Sequence, residues 1–232
     1  MLSILITGAN RGLGLALVKQ YSTNLANHII ACCRAPERAT KLQEMAKQRS
    51  NISVKMLDVC QDKSIEALAQ STQQPIDILF NVAGVIGSSN VDRVPTTQEW
   101  LDVLQVNIIG PLKMMNAFLP NIRQGTRKLI INFSSISGSI TLIDRIYPHC
   151  SYDYSSSKAG LNICTRMFAH QFASEKMTIV ALHPGWVKTD MGGPTALLTP
   201  EESATSIYKL VNSLSHTHNG KFIDYLGREL PW

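Results

Sequence analysis

Tyr154 and Lys158 stand four residues apart in Tyr154-Ser155-Ser156-Ser157-Lys158, a spacing that puts both side chains on one face of a helix. A free tyrosine has a pKa of about 10, too high for ready proton exchange near neutrality. A lysine ammonium beside it favours the phenolate and brings the hydroxyl toward the working range. Such a pair can give a proton to an oxyanion or take one from an alcohol. Ser135, in Asn132-Phe133-Ser134-Ser135-Ile136-Ser137-Gly138, can hold the same oxygen by a hydrogen bond that strengthens as charge develops. Tyr152 is a rival for the acid–base role, but only Tyr154 has a lysine four residues on. Pairs of this spacing are common on solvated helices, so the weight of this one depends on its surroundings.

Near the N-terminus lies Thr7-Gly8-Ala9-Asn10-Arg11-Gly12-Leu13-Gly14, placed where a strand should open directly into a helix. Such a turn brings backbone N–H groups and a helix N-terminus against a phosphate, the arrangement that binds a dinucleotide. Gly8 allows the tight turn, Gly12 the close approach, and Gly14 the packing of helix on sheet. The end of the second strand reads Cys33-Arg34, with no acid to hold a ribose 2′-hydroxyl. Arg34 and Arg11 together suit the 2′-phosphate instead, which favours NADP(H) over NAD(H). Arg34 as a solvated helix-start residue is the plainer alternative. Asp58-Val59 ends the third strand, where the carboxylate can meet an adenine amino group or cap a helix. Asn81-Val82-Ala83-Gly84 ends the fourth with small residues, where a dinucleotide passes close to the backbone.

Elements must exist to bring these segments together. Short apolar runs at 2–7, 28–33, 52–58, 76–82, 128–133, 178–183 and 222–225 alternate with helical patterns, as in a parallel sheet covered on both faces. Leu13, Leu17 and Tyr21 mark the first helix, and Ala35-Pro36-Glu37 starts the second. Leu161, Cys164, Thr165, Phe168 and Phe172 mark a later helix that begins near Tyr152. Long helices are expected over 107–123 and 152–174, and two long loops over 137–151 and 185–199. No linker or repeat divides the chain, so its 232 residues read as one domain, 1–232.

Composition narrows the class further. The apolar share of 44% and charged share of 17% are those of a globular protein. The net charge of +5 comes without a dense basic run, which argues against nucleic-acid binding. Five cysteines without CxxC spacing argue against a disulfide framework or structural zinc and fit a reducing compartment. His216 and His218 lack acidic or cysteine partners at ligand spacing, and His183 reads as part of a strand-end turn. No signal peptide or membrane-length apolar run is evident, so a cytoplasmic protein without metal is expected.

Taken together, Thr7-Gly8-x-x-x-Gly12-x-Gly14, Asn81-x-Ala83-Gly84, Asn107, Ser135, Tyr154-x-x-x-Lys158 and Pro184-Gly185 resemble the short-chain dehydrogenase/reductase superfamily. The segments from His183 to Gly193 and from Phe222 to Trp232 are similar to its branch of C-factor-like proteins and sniffer-type carbonyl reductases. The resemblance implies a single-domain, doubly wound Rossmann fold of the α/β class, with a parallel sheet of about seven strands. It implies a catalytic tetrad of Asn107, Ser135, Tyr154 and Lys158, in which Asn107 shapes the active-site helix and holds a water relaying protons through Lys158. Lys158 would also bind the nicotinamide ribose, and the Val187 backbone and Thr189 the carboxamide. The expected cofactor-binding set is thus Gly8, Asn10, Arg11, Gly12, Leu13, Gly14, Arg34, Asp58, Val59, Asn81, Ala83, Gly84, Tyr154, Lys158, Pro184, Gly185, Val187 and Thr189. The implied activity is NADP(H)-dependent reduction of a small carbonyl substrate by a homodimer. The alternative is a dinucleotide-binding signalling protein of C-factor type with incidental catalysis. Two departures stand out. Val82 replaces the usual second asparagine, and the span from Ser135 to Tyr154 is longer than is common. Its extra loop carries Asp144, Arg145, Tyr147, Pro148 and His149 and is expected over the substrate side, with His149 a loop residue and not a second acid.

Overall fold

The computed structural model describes residues 1–87, 93–146 and 150–232. Seven strands form one parallel sheet: β1 (Ser3–Thr7), β2 (His28–Cys33), β3 (Ile52–Met56), β4 (Ile78–Asn81), β5 (Leu129–Phe133), β6 (Thr178–His183) and β7 (Phe222–Asp224). Their order is β3-β2-β1-β4-β5-β6-β7. The chain winds outward one way from β1 and then, from β4, the other. A crevice therefore opens at the β1–β4 boundary, beyond the C-terminal strand ends. Thr7 holds that boundary, its hydroxyl accepting the N–H groups of Val82 and Ala83 at 3.0 Å each.

Alternate residues of each strand feed two separate cores, because strand side chains point to opposite faces. Ile4, Ile6, Phe80, Ile131 and Val180 pack under α1 (Gly12–Tyr21), α2 (Thr40–Gln48) and, later in the chain, α9 (Pro200–Ser213). Leu5, Leu79, Ile130 and Ile179 pack on the other face. There they meet α3 (Asp62–Ser71), α5 (Gly110–Ala117), α6 (Leu119–Gln124) and α8 (Tyr152–Gln171). Cys32 and Cys33 divide between the two cores, and Met114 and Met115 fill the second. The remaining helices are α4 (Thr97–Leu104) and a single turn, α7 (Ile143–Ile146).

The expected strands all form, and the differences lie at the ends. The run 52–58 leaves the sheet after Met56, and 76–82 pairs only over Ile78–Asn81. Pro36 opens a 3₁₀ turn, Pro36–Arg38, with α2 starting at Thr40. The long helix expected over 107–123 is broken. A π-helical turn, Gln105–Ile109, precedes α5, and α6 follows as a separate helix. Pro111 and Pro120 explain the breaks, since neither can donate the N–H that a continuous helix requires. By contrast, α8 runs unbroken for 20 residues.

A buried polar ladder ties α8 to the sheet. The Asn81 amide donates to Asn132 Oδ1 at 2.8 Å, Asn132 Nδ2 to Thr165 Oγ1 at 2.9 Å, and that hydroxyl to the Leu161 carbonyl at 2.6 Å. Ser134 Oγ donates to Asn162 Oδ1 at 2.6 Å one turn earlier. Most buried polar groups are hydrogen-bonded, and these bonds hold α8 in one rotation about its axis, which directs Tyr154 and Lys158.

Candidate active site

A cleft of about 1690 Å³ lies along the C-terminal strand ends. At its floor is the glycine turn between β1 and α1. Gly8 has φ of +67°, and a Cβ there would stand 2.9 Å from Ala83 Cα. Only glycine satisfies both conditions. Gly14 answers a different demand from the helix packing expected of it. A Cβ at this position would lie 2.2 Å from the Gly8 carbonyl oxygen, because the turn folds onto itself. Gly12 faces Thr189, whose methyl a Cβ would meet at 3.1 Å. Asn10 and Leu13 also line the cleft, together with Val59, Ala83, Gly84, Pro184, Gly185, Val187 and Thr189.

The charged residues of this half divide differently from the sequence reading. Arg11 lines the cleft but is paired. Its Nη1 holds Asp190 Oδ2 at 2.5 Å, with both side chains exposed. Arg34 lines the cleft with Arg38 and Lys41. Asp58 lines it too, but its Oδ1 accepts the Cys60 N–H at 3.0 Å, and the cap of α3 is Gln61. Asn81 is absent from the lining, since its amide turns inward to the Asn132 ladder.

Ser135, Tyr154 and Lys158 meet where β5 ends against α8, on the wall of the same cleft. The Ser135 hydroxyl donates to Ser137 Oγ at 3.2 Å and stands near enough to the Tyr154 phenol to lower it. Lys158 is buried, donates to the Phe133 carbonyl at 2.7 Å, and stands 5.6 Å from the centre of the Tyr154 ring. Burial pushes the phenol up to about 12; the Ser135 hydroxyl pulls it back and the nearby Cys150 thiol adds to the rise. The lowered tyrosine expected from the lysine is thus not seen, because loss of water outweighs the neighbouring charge. Burial also brings Lys158 down to about 8.

Asn107 is buried just behind this group, in the π-helical turn. Its amide nitrogen donates to the Val85 carbonyl at 2.8 Å and to Ser157 Oγ at 2.9 Å, while its oxygen accepts the Val85 N–H at 2.9 Å. The side chain is fully used. Its own backbone carbonyl has no i+4 donor, because residue 111 is proline.

Residues 3–197 match the family described as short chain dehydrogenase. The chain belongs to that family. The structure is similar to the carbonyl reductase Sniffer of D. melanogaster, with a TM-score of 0.91, 35% identity and 100% of both chains covered. It is similar also to the NADPH-bound carbonyl reductase from chicken fatty liver, with a TM-score of 0.93 and 33% identity over 99% of this chain and 94% of the other. C-signal of Myxococcus xanthus is 36% identical over 162 residues, 68% of this chain and 93% of its own.

In this short-chain dehydrogenase the open side of the cleft is shaped by the two long loops. The first is braced at its start: Ser139 Oγ donates to the Pro231 carbonyl at 2.7 Å and Thr141 Oγ1 to that of Trp232 at 2.9 Å. It presents Arg145, Ile146 and Cys150 to the cleft; Tyr147, Pro148 and His149 lie outside the described residues. The second loop closes on itself. Trp186 Nε1 donates to the Gly192 carbonyl at 2.8 Å, and Val187 and Leu198 form a parallel bridge. Trp186, Lys188, Asp190 and Met191 line the cleft from it.

Several lining residues escaped the sequence reading. Arg38 and Lys41 reach the cleft from the Pro36–Arg38 turn and the first turn of α2, which follow Arg34 directly. Asp190 carried no such signal, as its partner is 179 residues distant. His183, read as structural, faces the cleft; its Nδ1 is buried without a partner among the described residues, and burial lowers it to about 4. His216 has a local role, bonded to the Met177 carbonyl at 2.9 Å. Among the described residues no group of three metal-binding side chains occurs, and no helix is long and apolar enough to cross a membrane.

The glycine turn gives a direct test. Gly14→Ala must push the Gly8 carbonyl aside, and a folded variant is expected to lose dinucleotide affinity at least tenfold in fluorescence titration. Unchanged affinity would contradict the geometry.

Proposed function

We propose that this short-chain dehydrogenase is an NADPH-dependent reductase of aldehydes or ketones, acting as one domain over residues 1–232. The observation that carries it is the Tyr154 phenol, lining the same cleft wall as Ser135 and beside the buried Lys158 ammonium, above a phosphate-type glycine turn. The likeness to carbonyl reductases, one of them with NADPH bound, supports the same reading.

The residues present fit the cofactor. The turn at Gly8 and Gly14 has space that a Cβ would fill. Arg34 has no partner among the described residues, and Arg38 and Lys41 stand with it. A 2′-phosphate would supply the missing anion. The Val187 backbone and Thr189 would hold the carboxamide, and Lys158 the nicotinamide ribose. Bound NADPH supplies hydride to the carbonyl carbon. Tyr154, kept as a phenol until about pH 12, is then in the form that donates a proton to the oxygen. Ser135 steadies that oxygen as charge gathers on it. Asn107 offers its backbone carbonyl to a water that returns the proton through Lys158, since its side chain is already held by Val85 and Ser157.

Two copies would pair through the outer faces of α4, the π-helical turn and α8, where Leu101, Ile109, Ile163 and Met167 are exposed. Five free cysteines fit a reducing compartment such as the cytoplasm.

Tyr154→Phe is expected to lower the reductive rate by about 10²–10⁴-fold while leaving the Kd for NADPH nearly unchanged. Loss of both rate and affinity would assign the residue to binding alone. Arg34→Asp should weaken NADPH far more than NADH in the same titration, and equal effects would refute the phosphate role. Tyr154 stays protonated throughout the accessible range, so the falling limb of kcat/KM should come from Lys158 losing its charge as pH rises through about 8. A profile flat to pH 10 would contradict this. No NADPH oxidation across a broad carbonyl panel would leave a dinucleotide-binding signalling protein, which the likeness to C-signal supports.

A further inference from the structure

Ten arginines occur in the chain. Eight are engaged by an acid, a carbonyl or hydroxyl oxygen, or an aromatic ring, from Arg11 on Asp190 to Arg166 over Trp232. Only Arg34 and Arg145 have no side-chain partner among the described residues, and both line the cleft. Arg34 stands where the 2′-phosphate is expected. Arg145 lies on the loop after β5, beyond Ser135 and before Tyr154, on the side left for the substrate.

Among the described residues no acid pairs with it. Two carboxylates line the cleft, and each is already bound: Asp58 by the Cys60 N–H, Asp190 by Arg11. Asp144, its neighbour in sequence, does not line the cleft and forms no ion pair with it. Ile86, Ile146, Trp186 and Met191 also line the cleft. Nor does the residue hang from a free strand of chain. The Arg145 N–H is bonded to Leu142 at 3.0 Å, the Leu142 N–H to Ser139 Oγ at 3.2 Å, and Ser139 to Pro231. At the loop's far end, Cys150 lies close enough to Tyr154 to act on its phenol. Arg145 therefore lines the same cleft as Ser135 and Tyr154, with a guanidinium unpaired among the described residues.

We propose that the substrate is a carbonyl compound bearing an anionic group, a carboxylate in the simplest case, and that Arg145 is the specificity-determining residue that binds it. This rests on the carbonyl-reductase reading above. A guanidinium binds a carboxylate through two parallel charge-assisted hydrogen bonds. The carboxylate would sit on Arg145 with the carbonyl reaching back to Tyr154 and Ser135.

The test compares 3- and 4-carboxybenzaldehyde with their methyl esters under NADPH, in the wild type, Arg145→Gln and Arg145→Lys. Expected is a kcat/KM about tenfold or more higher for an acid than for its ester. The preference should vanish in Arg145→Gln with ester turnover unchanged, and survive in part in Arg145→Lys. Reduction of esters as readily as acids, or a preference that persists in Arg145→Gln, overturns the proposal and leaves the reductase reading standing. A second measurement needs no turnover: calorimetric binding of benzoate to the NADP⁺-loaded protein, weakened about tenfold in Arg145→Gln. If benzoate binds in this way and no aldehyde is reduced, the anion site stands and the reductase reading fails. Failure of benzoate to bind overturns the site.

Discussion

A lysine ammonium buried at the end of β5 is the constraint around which this site is built. A charge removed from water is costly unless it is hydrogen-bonded, and the Phe133 carbonyl supplies that bond at 2.7 Å. To bring Lys158 there, α8 must press against the strand end so closely that a Cβ on Gly138 would lie 2.6 Å from the Lys158 carbonyl carbon. The Asn132–Thr165 and Ser134–Asn162 bonds secure the same junction from within. Once Lys158 is fixed, the helical spacing fixes Tyr154, and the end of β5 brings Ser135 to meet it.

The same burial sets the chemistry. Removing water raises the phenol and lowers the amine, so tyrosine is held as an acid and lysine remains mostly charged near neutrality. That distribution suits protonation of an oxygen gaining negative charge. It is a different balance from the one that a tyrosine and lysine on an open helix would reach, where the charge of the lysine would be the larger influence.

Electrostatics also vary within the cleft. Arg34, Arg38, Lys41 and Arg145 line it, while Arg11 and Asp190 pair with each other. The cleft is therefore not a uniformly basic surface.

The sequence alone determined whatever depends on local spacing or on backbone conformation. The seven strands were legible because each is a short apolar run, and the Tyr154–Lys158 pair because a helix has a fixed period. The glycine turn was legible because its phosphate-binding role needs glycine at set positions. Helix ends were less so, as Pro111 and Pro120 divided a stretch that hydrophobic pattern alone joined. Tertiary structure decided the rest. It paired Arg11 with Asp190, turned Asn81 inward to Asn132, and committed the Asn107 side chain to Val85 and Ser157. It also reversed the expected shift of Tyr154. The reason is common to all four: partner choice and desolvation depend on groups distant in sequence, which no local period encodes.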